Sequence, residues 1–139
     1  MPRVYRVMKG DKTGKPQIGD TSVTLGVRVP ADIAPDSSGM VQPGTGGMSV
    51  APSMGDLPAR MVPVRLRSRV PGASGRDSLN VWGMGEGAFE EASLAADLSL
   101  RPDPKNPRHG FAEPEIRMAL DRFRAALAAT RSDWMVDEE

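Results

Sequence analysis

An α+β domain is what this sequence predicts, with a small antiparallel β core and one helix near the C-terminus. Strand-like runs occupy most of the chain, the one long 3.6-residue periodicity comes last, and strands do not alternate with helices as a parallel sheet would need. At 139 residues the chain is read as a single domain, residues 1–139, able to bury a core without disulfides or metals. It carries 15 glycines and 13 prolines but only 4% aromatics, which implies many loops around a small core. Nine methionines fill irregular gaps that rings would otherwise occupy.

The first element is a strand over residues 3–8, RVYRVM, where long, branched and aromatic side chains alternate. Residues 9–20 hold three glycines and a proline among charges, which is turn chemistry. Residues 21–29, TSVTLGVRV, read as a strand with a bulge at Gly26, or as an irregular extended segment. From 30 to 53 the chain is punctuated by Pro, Gly, Asp and Ser around one apolar triplet, Met48-Ser49-Val50; a stretch so poor in pattern is usually functional or disordered.

Residues 62–70 alternate apolar Val62, Val64 and Leu66 with Arg65, Arg67 and Arg69, the clearest period-two pattern in the chain. Pro63 confines this strand to an edge, or makes residue 63 its first paired position. On such an edge the arginines are charges that protect it from further pairing. Residues 71–76 turn, and 79–82, LNVW, read as a short strand. Phe89, Ala92, Leu94, Ala95 and Leu98 fall near helical spacing and predict a short helix over 86–98. Prolines 102, 104 and 107 turn the chain into a strand at 111–113. Met118, Leu120, Phe123, Leu127 and Trp134 share one helical face and predict the C-terminal helix. No Ser, Thr or Asn directly precedes it as an N-cap, and residues 136–139 read as a frayed tail.

Composition narrows the chemistry. Eighteen basic and eighteen acidic residues balance, so nothing in the net charge favours nucleic acid. With no cysteine there is no disulfide, thiolate metal site or Cys nucleophile. No apolar run approaches a membrane span and no signal-peptide core follows Met1. The expectation is a soluble protein made in the cytoplasm, with export by a route needing no cleaved signal left open.

Glycine clusters between residues 39 and 47 raise the question of what approaches the backbone there. A phosphate loop needs Lys after its last glycine, and Gly47 is followed by Met48. A dinucleotide fingerprint needs a third glycine and a helix, and Ser49 and Pro52 supply neither. The bland alternative is a loop before a strand, with Ser49 facing solvent. His109, the sole histidine, lacks the His or Cys partners of a usual metal site; it reads as a residue that orients a substrate or as an exposed turn histidine. No G-x-S-x-G surrounds Ser49, which argues against a hydrolase elbow. Glu113 and Glu115, two apart on a strand, point to one face and suit a ribose hydroxyl or a cationic transition state, or else a solvated strand end. Arg6 alternates with Val4 and Met8, so it points inward and calls for an anionic partner, either an internal carboxylate or a ligand phosphate.

Tyr5-Arg6 on a first strand, Gly46-Gly47-Met48-Ser49-Val50 after a long loop, and His109 followed by Pro114 and Met118 occur in a known order. In these dozen or so positions the chain resembles the ADP-ribosyltransferase-fold toxins delivered by bacterial type VI secretion. The resemblance implies a split, strongly bent β core with a cleft for NAD as co-substrate. It implies Tyr5 and Arg6 as the first-strand motif, with Arg6 the anion contact and Ser49 a structural hydroxyl of the cleft. Gly46 and Gly47 would let the nicotinamide lie close to the backbone, and His109 or Glu113, with Glu115 the alternative, would be the catalytic third-motif group. The implied reaction is cleavage of the nicotinamide–ribose bond to modify a target in a recipient's cytoplasm, with a cognate immunity protein as partner. The competing class is a non-catalytic binding module in which the same loop and Arg6 hold a partner.

Overall fold

The computed structural model describes residues 1–139. Nine strands and one helix follow along the chain: β1 (Val4–Lys9), β2 (Met40–Val41), β3 (Met48–Val50), β4 (Leu79–Met84), β5 (Ala92–Ala95), β6 (Leu98–Pro102), β7 (Gly110–Pro114), β8 (Met118–Ala119), α1 (Leu120–Ala129) and β9 (Met135–Val136). Every ladder between these strands is antiparallel, and the helix follows eight of the nine strands, so the architecture is α+β. The strands form a three-stranded sheet β1-β4-β9, a four-stranded sheet β3-β7-β6-β5 and a small pair β2-β8. No helix is long and apolar enough to cross a membrane.

Strand alternation on β1 and β4 creates two cores, one on each face of their sheet. Val4 lies opposite Met84 and Arg6 opposite Trp82, and Val4, Met8, Trp82 and Met84 join the larger cluster with Phe123 and Trp134. On the other face Val7 lies opposite Val81, and both pack with Leu57, Val62 and Leu66. The sheet is thus a middle layer, apolar on both sides. Both indoles are fully buried and keep a partner for their polar end. Trp82 Nε1 donates to the Met8 carbonyl at 3.0 Å, and Trp134 Nε1 to Thr130 Oγ1 at 3.0 Å.

Three expected elements differ. Residues 62–70 form no strand; they wind through a 3₁₀ turn at Val64–Leu66 and further tight turns. Beside Pro63, the buried residues there are Val62, Leu66 and Val70, four apart, so the governing repeat is that of a turn. The arginines at 65, 67 and 69 therefore protect no strand edge. The helix expected over 86–98 is instead the β5–β6 hairpin, closed across Ala95 and Leu98, with Asp97 at φ 68°. Asp tolerates that left-handed position, which lets the chain reverse. Residues 21–29 are the irregular extended segment, and their Thr21 and Thr24 carbonyls turn toward the Arg6 guanidinium.

The C-terminal tail is held rather than frayed. Met135 and Val136 pair with β4, the Asp137 carboxylate takes hydrogen bonds from Arg3 and Tyr5, and Glu138 accepts from Arg65 and the Val81 amide. Burial pushes the Asp137 pKa up, but the bonds from Arg3 and then Tyr5 outweigh it and hold the group below the usual carboxylate range. A carboxyl depressed in the folded state binds fewer protons there than when unfolded, so its stabilisation is present above the unfolded pKa and is lost on acidification. Asp11, Asp36, Asp97 and Asp103 shift in the same direction. Urea midpoints measured from about pH 5 down to about pH 3 are expected to fall steeply. Asp137→Asn is expected to be less stable at pH 6 and to show a shallower acid slope; an unchanged slope counts against the latch.

Candidate functional site

The two larger sheets share the larger core, and their backbones pair at one bridge. Tyr5 and Ala51 exchange both backbone hydrogen bonds at 2.9 Å, and the pairing does not continue to Val7 and Ser49. Arg6 occupies the resulting split. Its Nη1 donates to the Ser49 carbonyl at 2.9 Å, its Nε and Nη2 to the Thr24 carbonyl at 3.2 and 2.9 Å, and Nη2 also to the Thr21 carbonyl at 3.4 Å. The residue is 6% exposed. Burial lowers its pKa to about 10, partly opposed by Asp32, so it stays protonated at neutral pH. The anionic partner expected of an inward arginine is not bonded to it; carbonyl oxygens satisfy the guanidinium instead, each contributing a partial negative charge.

Beside this split lies a cleft of about 560 Å³, within the usual range for small-molecule sites. Arg6, Ser49 and His109 line it together, although they are far apart in sequence. Ser49 is directly opposite Phe111 in the β3–β7 register, and His109 meets the Phe111 ring edge-on at 4.6 Å between centroids. A continuous strip runs from the serine to the histidine. The His109 ring is further held by Asp103, whose Oδ2 lies 3.1 Å from Nδ1. The Lys105 amide and then His109 hold the Asp103 pKa below the usual carboxylate range. An Nδ1–H donating to that carboxylate leaves Nε2 as the proton acceptor.

The cleft is positive. Its charged lining consists of Arg6, Arg28, Arg60, Arg76 and Arg108 against only Asp32 and Asp56. Arg28 is paired with Asp32 at 2.9 Å and Arg108 with Asp56 at 2.9 Å. The latter pair, with a bond from Arg108 to the Gly55 carbonyl at 2.8 Å, ties the turn before His109 to the turn at Met54–Asp56. Arg60 and Arg76 have no side-chain hydrogen bond or ion pair.

The other residues singled out in the sequence do not line the cleft. Glu113 is 3% exposed and is fully engaged: Arg101 Nε donates to both carboxylate oxygens at 2.9 Å and the Gly44 amide to Oε2 at 2.8 Å. It fastens the glycine loop to β7. Glu115 is exposed beyond the end of that strand. Tyr5 directs its hydroxyl to Asp137 at 3.2 Å under the Arg3 guanidinium. Gly46 and Gly47 do serve a close approach, but what approaches is this protein's own backbone. A Cβ on Gly47 would lie 2.3 Å from the Ala112 carbonyl oxygen, and one on Gly46, at φ 118°, would lie 2.2 Å from that of Asp32. Neither glycine lines the cleft.

Asp103, the lining carboxylates Asp32 and Asp56, and the arginines Arg28, Arg60, Arg76 and Arg108 are the site residues that sequence reasoning missed. Asp103 stands six residues before His109 among prolines, in a turn-rich segment where an Asx turn is the ordinary explanation. The arginines carry no motif, because their convergence depends on how two loops are laid side by side. No group of three or more His, Asp or Glu side chains is arranged to hold a metal ion. No protein-family model and no curated protein matches the chain, so the chemistry of this cleft carries the functional reading.

Proposed function

We propose that the chain is a bacterial toxin domain of ADP-ribosyltransferase-like architecture that uses NAD as co-substrate to modify an intracellular target. The observation that supports this reading is the split β core itself. One bridge joins the two sheets, and beside it Arg6, Ser49 and His109 line a single positive cleft, the arrangement that the order of motifs implies. A cognate immunity protein, and action in a recipient's cytoplasm after export, belong to the same proposal.

In the proposed reaction the bond between ribose and nicotinamide breaks, its electron pair leaves with nicotinamide, and the cationic ribose is captured by a nucleophile of the target. The nucleophile's proton goes to His109 Nε2, which the Asp103–Nδ1 contact keeps available. Glu113 lies outside the cleft, so the carboxylates nearest the developing cation are Asp32 and Asp56, each of which also holds an arginine of the lining, Arg28 and Arg108 respectively. Ser49 reaches the cleft from β3, and its carbonyl anchors Arg6. Arg6 thereby becomes a positioning residue that sets the width of the split.

The second reading, a non-catalytic binding module using the same cleft, is favoured by the position of Glu113 outside it. Expression in a bacterial cytoplasm separates the two. Wild type is expected to arrest growth and deplete or consume NAD, and His109→Ala to lower turnover about 100-fold or more. Asp103→Ala is expected to retain the fold, lower turnover and alter its pH profile. Wild type that harms neither growth nor NAD overturns the toxin reading, and a His109→Ala protein of full activity removes the histidine from the mechanism.

A further inference from the structure

The cleft contains a second, independent feature in Arg60 and Arg76. Each is exposed and lines the cleft, and neither has a carboxylate or carbonyl partner. Most arginines of the molecule are committed elsewhere: Arg3, Arg28, Arg65, Arg101, Arg108, Arg117, Arg122 and Arg131 all form ion pairs. The chain has equal numbers of acidic and basic residues, so the positive character of the cleft is local.

The backbone holds these two arginines together. Ser74 N donates to the Ala59 carbonyl at 3.0 Å, Gly75 N to Val62 at 2.8 Å, and Val64 N to Gly75 at 3.1 Å. The segments bearing Arg60 and Arg76 therefore run side by side. Their contact is so close that a Cβ on residue 75 would sit 2.1 Å from the Met61 carbonyl oxygen, and glycine is what allows it. Leu57, Val62 and Ala73 are buried beneath this platform in the second core, which makes it a firm base for long side chains.

We infer that Arg60 and Arg76 form an anion subsite that grips the diphosphate of a nucleotide-containing ligand. Two guanidinium forks suit two adjacent phosphates, each presenting paired oxygens. The assignment replaces Arg6, whose guanidinium is spent on three carbonyls, as the anion contact. It rests on the NAD reading for the identity of the ligand, while the preference for a diphosphate rests on the two arginines alone.

The test is calorimetric titration at low salt with ADP-ribose, inorganic pyrophosphate and adenosine. Wild type is expected to bind ADP-ribose, and pyrophosphate to compete with it. Arg60→Gln and Arg76→Gln are each expected to raise the ADP-ribose Kd about tenfold, the double variant more, with unchanged thermal unfolding. Adenosine binding should not respond to either substitution. A control double variant, Lys12→Gln with Arg67→Gln, removes the same charge outside the cleft and is expected to leave Kd unchanged. Equal affinity in wild type and the Arg60/Arg76 double variant overturns the subsite, as does an equal loss in the control or a wild type that binds neither anion. Should the chain spare NAD and growth while ADP-ribose affinity still depends on Arg60 and Arg76, the subsite stands and the NAD-consuming reading falls. Should the double variant instead consume NAD as wild type does, the subsite falls and the NAD-consuming reading stands.

Discussion

Arg6→Ala is expected to lower stability by about 3–5 kcal/mol, enough to unfold a marginal domain. The substitution strands the buried Thr24 carbonyl, removes the partner of the half-buried Ser49 carbonyl and of Thr21, and leaves a cavity where the guanidinium was. Each unsatisfied buried acceptor costs about 1–3 kcal/mol, so lost bonds dominate over lost charge. Arg6→Lys is expected to recover only part, because one ammonium cannot span the separate carbonyl directions that a planar fork reaches. The check is urea unfolding followed by fluorescence of the two buried indoles. A loss below about 1 kcal/mol would show that the guanidinium does not hold the split closed. An inactive Arg6 variant therefore cannot by itself be taken as loss of a ligand contact, which is why Arg60 and Arg76 are the better probes of ligand binding.

Gly47→Ala is the second large effect, expected at about 3 kcal/mol, or about 10 °C in Tm. The new methyl meets the Ala112 carbonyl oxygen at 2.3 Å, and neither strand can retreat without breaking the β3–β7 ladder that places Ser49 opposite Phe111. Gly39→Ala is the comparison. Its φ of 76° makes alanine unfavourable, but no atom lies within 4 Å of the added carbon, so a loss of about 1 kcal/mol is expected. Differential scanning calorimetry of the two variants measures the contrast. Equal shifts would mean that backbone conformation, and not the contact with Ala112, accounts for the glycine.

Where the sequence was legible, local pattern and tertiary packing asked for the same thing. Residues 3–8 alternate because β1 has an apolar core on each side, and the centre of the Met118–Trp134 stripe is the helix Leu120–Ala129, with Phe123 and Leu127 buried on one face, while Met118 pairs in β8 and Trp134 lies beyond the helix end. Where it misled, a local pattern lost to a requirement from elsewhere. The Val62, Val64, Leu66 alternation yields to turns because Pro63 cannot donate and Val64 instead bonds to Gly75. The apolar spacing of 86–98 yields to a hairpin because Leu98 and Leu100 are needed in the larger core. The tail looked frayed because its value lies in what Asp137 and Glu138 meet, and Arg3 and Arg65 are distant in sequence. The site divides the same way. Arg6, Ser49 and His109 were recognisable from their order and line one cleft, whereas the engagement of Glu113 by Arg101 follows only from strand register, with Arg101 lying opposite Phe111.

The β1–β4 register has a further consequence for how the molecule is made. Val4 pairs with Met84, Met40 with Ala119 and Met48 with Ala112, so three ladders each close a loop of about half the chain's length before their contacts repay the entropy spent. Only β5, β6 and β7 are joined to their neighbours in sequence. A chain so connected folds on the slow side of the range for small domains, starting from the local 92–114 meander and acquiring β1 late. Since β1 carries Arg6 and one edge of the split, the cleft is among the last parts of the protein to exist.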